Sequence, residues 1–248
     1  MMLRLDHVTK RFGNLVANQD ISFSLEPREI SAVIGPNGAG KTTLFHMISG
    51  FLPPTEGRIW FDGQDVTDLP PTRRVRGGMV RTFQITEIFP ELTVAENLRI
   101  GIETHMGINA RPFVSRATRA EVARRVDALM ALTGLSDKAD ELAGELAHGD
   151  QRVVEVALAL SLEPKLLLLD EPTAGMAEHE TDMMVALIKR LHAERHLTIL
   201  FIEHDMSVVF GIAQRITVLD YGRVLVSGTP EEIANDARVQ AAYLGGEA

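Results

Sequence analysis

The stretch from Gly35 to Thr43, GPNGAGKTT, has the residue types and spacing that bind phosphate groups. It fits the pattern of glycine, four residues, Gly-Lys and then serine or threonine. The glycines let backbone N–H groups turn toward phosphate oxygens, Lys41 reaches the β- and γ-phosphates, and the Thr42 hydroxyl is placed to bind Mg²⁺. We predict that a nucleoside triphosphate is held by Gly35, Pro36, Asn37, Gly38, Ala39, Gly40, Lys41, Thr42 and Thr43.

Two adjacent acids, Asp170 and Glu171, follow the apolar run of four leucines from Leu166 to Leu169. An acid at the carboxyl end of a central parallel strand lies near a phosphate-binding loop. Asp170 can then hold Mg²⁺, directly or through water, and Glu171 can polarise a water that attacks the γ-phosphate. The alternative is a strand that happens to end in a solvated Asp-Glu turn, and the phosphate loop upstream argues against it.

These groups need a sheet to position them, and the pattern of apolar residues predicts one. We expect Ile30–Ile34 to be a buried strand ahead of the loop, and a helix from Thr42 to point its N-terminus at the phosphates. A small N-terminal antiparallel sheet is expected from Leu3–Val8, Ile21–Leu25 and Gly57–Gly63. Strands of the core are expected at Met79–Phe83, Lys165–Asp170, Thr198–Ile202, Arg215–Leu219 and Val224–Ser227.

Helical spacing predicts helices between these strands. Val94–Thr104 and Arg119–Leu132 have it. In the second helix one face is predicted to be apolar, and Gly134 is a natural stop; the residues of that face are Val122, Val126, Leu129 and Leu132. We interpret residues of about 94–163 as a helical subdomain inserted in a single α/β domain that covers 1–248. Further helices are expected at Asp150–Leu162, Glu178–Ala193 and Met206–Ala213. The alternation of strands and helices predicts a mostly parallel, doubly wound sheet.

Composition narrows the classes of function. The chain has 248 residues, of which 45% are hydrophobic and 24% are charged, as in ordinary globular domains. Its formal net charge of -9 disfavours a nucleic-acid partner, because phosphate backbones need a basic face. We expect no disulfide, because the sequence has no cysteine, and no signal peptide, because the start MMLRLDHVTKRF is too charged. We expect no membrane span, because no apolar run approaches roughly 18 residues. A role at a membrane would require a partner.

The order of these motifs over the full length resembles the ATP-binding subunit of an ABC transporter. In VTKRFG, Phe12 matches the aromatic residue that stacks on adenine; in RTFQ, Gln84 matches the glutamine that reaches Mg²⁺ and the attacking water. In FIEHDM, His204 matches the histidine that contacts the γ-phosphate. The resemblance implies an ATPase with ATP and Mg²⁺ as cofactors, whose catalytic residues are Lys41, Gln84, Glu171 and His204 and whose metal ligands are Thr42, Gln84 and Asp170.

The signature segment of that family, usually Leu-Ser-Gly-Gly-Gln, aligns with Leu146, Ala147, His148, Gly149 and Asp150. The resemblance implies that this segment opens a helix facing the ATP bound by a second ATPase subunit. Only Leu146 and Gly149 match, and Ala174–Ala177 lacks the usual bridging aspartate, which argues against a homodimer with two equal sites. Asp150 either caps the helix, stabilising its first turn and pointing away from the nucleotide, or weakens the composite site by its negative charge.

A narrower resemblance is to the ATPases of branched-chain amino-acid importers, whose relatives serve urea and other amides. It rests on Ala147-His148 in the signature, on Ala174-Gly175 after DEPT, on IEHDM with Val208-Val209 following, and on the ending GTPEEI…AAYLGGEA. It implies import energised through separate transmembrane permease subunits, with the chain peripheral at the cytoplasmic face of the inner (plasma) membrane.

Three alternatives stay open at this point. A soluble ABC ATPase of translation or DNA repair usually has two ATPase units or a long coiled coil, and a phosphate-loop kinase would have an Arg-rich lid. The ATPase of a lipopolysaccharide exporter keeps the class and changes the cargo. Because cargo contacts lie on other subunits, the sequence leaves the cargo and the direction of transport open.

Overall fold

The computed structural model describes residues 1–82, 88–109, 111 and 113–244. Its strands form two sheets, and those of the N-terminal sheet are antiparallel in the order β2-β1-β4-β5. The strands are β1 (Leu3–Phe12), β2 (Leu15–Leu25), β3 (Ile30–Ile34), β4 (Glu56–Phe61), β5 (Gln64–Asp65), β6 (Met79–Arg81), β7 (Leu166–Asp170), β8 (Thr198–Ile202), β9 (Arg215–Asp220) and β10 (Arg223–Gly228). The predicted pairing of the first two strands is confirmed, since Leu3 lies opposite Leu25 and Val8 opposite Ile21.

The second sheet has the order β10-β9-β3-β8-β7-β6, and all its pairs are parallel except β10 with β9. Every residue of β3, β7 and β8 is buried. Strands covered on both faces need continuous apolar runs, which is why the leucines of β7 and the sequence TILFI of β8 do not alternate with polar residues. The predicted mostly parallel sheet is confirmed. Strand β6 ends at Arg81, one residue before Thr82 of its predicted range, and Phe83 lies outside the described residues.

The helices are α1 (Lys41–Ser49), α2 (Pro71–Gly77), α3 (Val94–His105), α4 (Arg116–Thr133), α5 (His148–Leu160), α6 (Glu178–Arg195), α7 (Met206–Ile212), α8 (Pro230–Ala234) and α9 (Ala237–Leu244). Helix α2 was not among the helices predicted from the sequence, because Pro70-Pro71 is a pair typical of loops. Pro71 instead occupies the first turn of α2, where its missing N–H has no intrahelical partner to lose. Of the helices in the described residues, none combines the length and the apolar character that a bilayer span requires.

Helices α3, α4 and α5 pack around an apolar cluster of their own. It contains Leu98 of α3, Val122 and Val126 of α4, and Val154 of α5. The predicted buried face of α4 is confirmed for these two valines and Leu129, whereas Leu132 is only partly buried. Gly134 ends α4 with a φ of 78°, as expected for a glycine stop. Two other clusters cover the two faces of the parallel sheet.

The start of α3 provides a prediction on stability. The Thr93 hydroxyl accepts a hydrogen bond from the Glu96 N–H at 3.2 Å, and a Glu96 carboxylate oxygen accepts one from the Thr93 N–H at 2.9 Å. Thr93→Ala removes the hydroxyl and leaves the Glu96 N–H without this partner, so we expect a loss of about 1 kcal/mol in the free energy of unfolding. Urea denaturation measures it. Thr93→Ser keeps the hydroxyl and should behave as wild type; an equal loss in both variants would contradict the prediction.

Candidate functional site

The chemically important residues gather at the carboxyl edge of the parallel sheet. Strand β3 ends where Gly35 begins the loop, β7 ends at Asp170 with Glu171 next, and β8 ends two residues before His204. Because the strands are parallel neighbours, their carboxyl ends meet at one edge. Residues separated by more than a hundred positions in sequence are thereby brought to one site.

The loop from Gly35 to Gly40 needs its glycines for conformation and for space. Gly38 and Gly40 have φ values of 82° and 96°, which side chains rarely adopt. A Cβ on Gly40 would lie 2.5 Å from the Asn18 amide nitrogen, and one on Gly35 would lie 2.2 Å from the Leu219 carbonyl oxygen. Helix α1 starts directly after the loop, at Lys41. The predicted strand, loop and helix are therefore present in that order.

Lys41 is buried within this loop. Its ammonium donates hydrogen bonds to the carbonyl oxygens of Gly35 at 2.6 Å and Pro36 at 3.0 Å. Burial lowers the pKa of Lys41, and the nearby carboxylates of Glu171 and Asp170 act in the opposite direction. The Lys41 ammonium therefore lies against the loop carbonyls and close enough to Glu171 and Asp170 to interact with their charges.

Glu171 and His204 form a direct pair. His204 Nε2 lies 2.7 Å from Glu171 Oε1, with 19% of the glutamate side chain and 47% of the histidine side chain exposed. Glu171 has a φ of 50°, and its N–H donates to the Ile202 carbonyl at 3.0 Å. A glutamate in this left-handed region costs about 1–3 kcal/mol, and such strain concentrates at functional sites. The strand pairing holds Glu171 in this conformation and aims its side chain at His204.

Sequence analysis missed the residue that supports this pair. Glu203 is 4% exposed, and its carboxylate accepts hydrogen bonds from the Thr173 N–H at 2.9 Å, the Thr173 hydroxyl at 2.5 Å and the His204 N–H at 3.0 Å. It therefore fixes the loop after Glu171 to the backbone of His204. The signal in the sequence was an acid between a buried strand and a histidine, in IEH.

One cleft of about 570 Å³ joins the loop to this pair. Asn37 through Thr43 line it together with Glu171 and His204. Its other walls are Leu15–Ala17 of β2 and the turn Tyr221-Gly222, neither of which sequence analysis had selected. Gly222 holds the turn in place by donating its N–H to the Ala39 carbonyl at 3.1 Å.

Asp170 and Thr42 present oxygen atoms near the loop, but in different environments. The Thr42 residue is exposed, whereas Asp170 is 3% exposed and its Oδ2 lies 2.6 Å from Arg81 Nη2. Arg81 is a further residue that sequence analysis missed. A hydroxyl and a carboxylate are hard oxygen donors of the kind that Mg²⁺ prefers, so this pair fits the metal. Gln84, the remaining predicted ligand, lies outside the described residues.

Phe12 lies at the end of the β1–β2 hairpin. It pairs with Leu15, which lines the cleft, and 46% of its surface is exposed. Lys10 Nζ lies 5.3 Å from the centroid of the Phe12 ring. An exposed ring beside a nucleotide cleft can stack on a base, and it can also hold a cation.

The signature segment, Leu146 to Asp150, contacts Glu180 of α6 and Lys138. Ala147 precedes α5, which starts two residues earlier than predicted. A Cβ on Gly149 would lie 2.5 Å from Glu180 Oε1, so glycine permits close packing against α6. Asp150 lies in the first turn of α5 and forms an ion pair with Lys138, which raises the pKa of Lys138. The interpretation of Asp150 as the helix cap is wrong, because Ala147 occupies that position.

A phosphate loop that opens a helix, opposite an acid and a histidine that follow neighbouring parallel strands, defines an α/β phosphate-loop nucleoside triphosphatase. Residues 18–174 match the family model described as ABC transporter, and residues 223–248 match the one described as branched-chain amino acid ATP-binding cassette transporter. The chain belongs to the ABC transporter family of ATP-binding subunits. It binds ATP and is an ATPase of the kind that powers transport.

Similarity to individual proteins extends over the whole chain. The high-affinity branched-chain amino acid transport ATP-binding protein BraF of Pseudomonas aeruginosa is 39% identical over 98% of each chain. The solved ADP conformation of an ATP-binding cassette of an ABC transporter has a TM-score of 0.86 and 32% identity over 98% of each chain. A dimeric bacterial ABC transporter cassette has a TM-score of 0.77 and 26% identity, covering 92% of this chain and 99% of its own. Solved cassettes that are similar to this chain therefore include a dimer, and the relative from Pseudomonas aeruginosa is a transport ATP-binding protein.

Proposed function

We propose that the chain hydrolyses ATP to energise the import of branched-chain amino acids or related small amides. The observation that carries this proposal is the meeting of Lys41, Glu171 and His204 around one cleft, in a chain similar over its full length to an ATPase of branched-chain amino acid transport. The interpretations as a soluble ATPase of translation or repair, or as a lipopolysaccharide exporter, have no such support. The acidic charge of -9 remains our reason to expect no nucleic-acid partner.

In this proposal the loop holds the phosphates of ATP. Lys41 donates to a phosphate oxygen while the carbonyl oxygens of Gly35 and Pro36 keep its side chain aligned, and the N–H groups of Gly38, Gly40 and the first turn of α1 face the phosphates. Phe12 stacks on the adenine beside the β2 wall of the cleft. These contacts act on charge that ATP already has in its ground state, so they serve binding more than rate.

Thr42, Asp170 and Gln84 are the proposed metal ligands. Mg²⁺, when bound, neutralises charge on the β- and γ-phosphates. The exposed residue Thr42 belongs to α1, which begins at the cleft, and the buried Asp170 belongs to β7, which ends beside Glu171. Gln84 keeps its role as an expectation from the sequence.

Glu171 and His204 are the proposed catalytic pair. Glu171 orients a water for attack on the γ-phosphate, and His204 contacts the phosphoryl group as charge develops on it. Their 2.7 Å contact fixes the orientation of the glutamate carboxylate. Positioning and charge stabilisation, with no covalent intermediate, then account for the rate.

We propose that α3 to α5 form the helical subdomain, at residues of about 94–163, within one ABC ATPase domain spanning 1–248. Leu146, Ala147, His148, Gly149 and Asp150 would face the ATP bound by a second ATPase subunit, because α5 offers its positive N-terminal end there. Separate permease subunits would convert closure of the two subunits into transport. The chain would then work as a peripheral subunit at the cytoplasmic face of the inner (plasma) membrane.

The ion pair of Asp150 with Lys138 permits a test of this interface. Asp150→Gln removes a negative charge near the start of α5 and leaves the Lys138 cation, so we expect ATP-dependent dimerisation to strengthen by about 0.3–1 kcal/mol. Lys138→Met leaves the carboxylate instead and should weaken dimerisation. Both are measured by analytical ultracentrifugation in a Glu171→Gln background. Shifts of the same sign would contradict the orientation proposed for α5.

The function is tested with the complex from membranes. A tagged chain should co-purify with integral membrane subunits, and vesicles that contain this complex should accumulate radiolabelled leucine when ATP and the cognate binding protein are supplied. The matched control is the same complex with Glu171→Gln, which should bind ATP and not accumulate leucine. If leucine uptake is no greater than in this control and urea or another amide is taken up instead, the proposed cargo is wrong and the proposed transport ATPase stands.

A further inference from the structure

Arg81 and Asp170 form an ion pair in which both side chains are buried. The side chains are 4% and 3% exposed, and Nη2 lies 2.6 Å from Oδ2. Arg81 ends β6 and Asp170 ends β7, and these strands are parallel neighbours in which Arg81 lies opposite Leu168. A carboxylate so deeply buried needs a partner for its charge, and Arg81 supplies it.

Arg81 is in turn fixed by α1. Its Nη1 donates to the Ser49 hydroxyl at 3.2 Å, and its guanidinium carbon lies 5.7 Å from the centroid of the Phe45 ring. Phe45 and Ser49 are four residues apart and share a face of the helix that begins with Lys41-Thr42. The guanidinium therefore connects the helix that carries Thr42 to the strand that carries Asp170.

We propose that Arg81 is a positioning residue for Asp170, which holds its carboxylate in one orientation and thereby sets the affinity of the nucleotide site for Mg²⁺. This inference rests on the proposed function, in which Thr42 and Asp170 are metal ligands. Arg81 contacts Oδ2, and a carboxylate has about four lone-pair positions over two oxygens, so it can accept this bond and still bind a cation. Outer partners of this kind raise metal affinity because they fix the ligand.

Repulsion between the guanidinium and Mg²⁺ is the opposing effect. The guanidinium charge is delocalised, and the paired carboxylate already offsets it. Stability alone is a weak reason for such a pair, because buried ion pairs are often no more stabilising than apolar residues of the same size. We therefore expect the loss of orientation to outweigh the relief of repulsion when Arg81 is replaced.

The test separates metal affinity from nucleotide affinity. Binding of β,γ-imido-ATP to the full chain is measured by titration calorimetry, first with chelator and then with Mg²⁺, and the ratio of the two affinities is the Mg²⁺ enhancement. Arg81→Met should leave the affinity with chelator unchanged and lower the enhancement about 10- to 100-fold. Arg81→Lys keeps the charge and loses the planar fork, so its enhancement should fall less. If Arg81→Met does not fold, the reduced enhancement in Arg81→Lys is the result required.

Arg74 provides the matched control. It is a buried arginine of α2, 2% exposed, and its Nη1 donates to two carbonyl oxygens in the last turn of α1, those of Met47 at 2.7 Å and Ile48 at 2.6 Å. Arg74→Met should lower the free energy of unfolding and leave the Mg²⁺ enhancement as in wild type.

Two results would overturn the role of Arg81: an enhancement in Arg81→Met equal to or above that of wild type, or an equal fall in Arg74→Met. A wild-type chain that binds the analogue and gains nothing from Mg²⁺ would contradict the proposed metal site itself.

Discussion

Glu171→Gln is expected to keep ATP binding and to lower ATP turnover by at least about 100-fold, because the amide cannot orient the attacking water as a carboxylate does. Nucleotide binding should survive because Lys41 and the glycines of the loop are untouched. The 2.7 Å contact with His204 can persist, since an amide oxygen also accepts a hydrogen bond. Phosphate release under steady-state conditions measures the turnover.

The same variant should accumulate as an ATP-bound dimer, because in the proposed two-subunit arrangement hydrolysis is the step that lets the subunits separate. Size-exclusion chromatography with ATP shows this directly. Asp170→Asn provides a comparison: it alters the proposed metal ligand and should lose the Mg²⁺ enhancement as well as turnover. Steady-state hydrolysis in Glu171→Gln equal to that of wild type would remove this glutamate from the catalytic pair.

The second large effect is expected at Lys41. Lys41→Ala removes a cation that meets the phosphates in the ground state, so ATP affinity should fall about 10- to 100-fold, in line with about 1.5–3 kcal/mol for a charged hydrogen bond. His204→Ala should leave ATP affinity unchanged and slow hydrolysis, because its contact matters as charge develops on the transferred group. Equilibrium binding and single-turnover hydrolysis separate the two. An equal loss of binding in both variants would make His204 a structural residue.

The meeting of Lys41, Glu171 and His204 could be predicted because each follows a recognisable buried strand, and parallel strands end at one edge. The buried pairs around these residues could not be predicted. Arg81 and Asp170 are 89 positions apart, and Thr173 and Glu203 are 30 apart. Such pairs depend on which strands are neighbours and on burial, neither of which a periodic pattern contains.

Helix boundaries show where local rules compete. Gly134 and the apolar face of α4 were predicted correctly, whereas α4 begins three residues earlier than expected, after the Ser115 cap. At α2 a whole helix was not predicted, because Pro70-Pro71 is typical of a loop, whereas Pro71 begins the helix. The role of Gln84 stays a prediction, because it lies outside the described residues.

The hydrogen bonds of Lys41 to the loop carbonyls have a consequence for the direction of its charge. An ammonium has three N–H donors, and two of them are directed at the carbonyl oxygens of Gly35 and Pro36, at 2.6 Å and 3.0 Å. The third donor can meet a phosphate oxygen while these two bonds keep the side chain aligned. The backbone of the loop thus acts as a guide for its own cation, so the same short segment sets both the N–H groups and the lysine that the phosphates would meet.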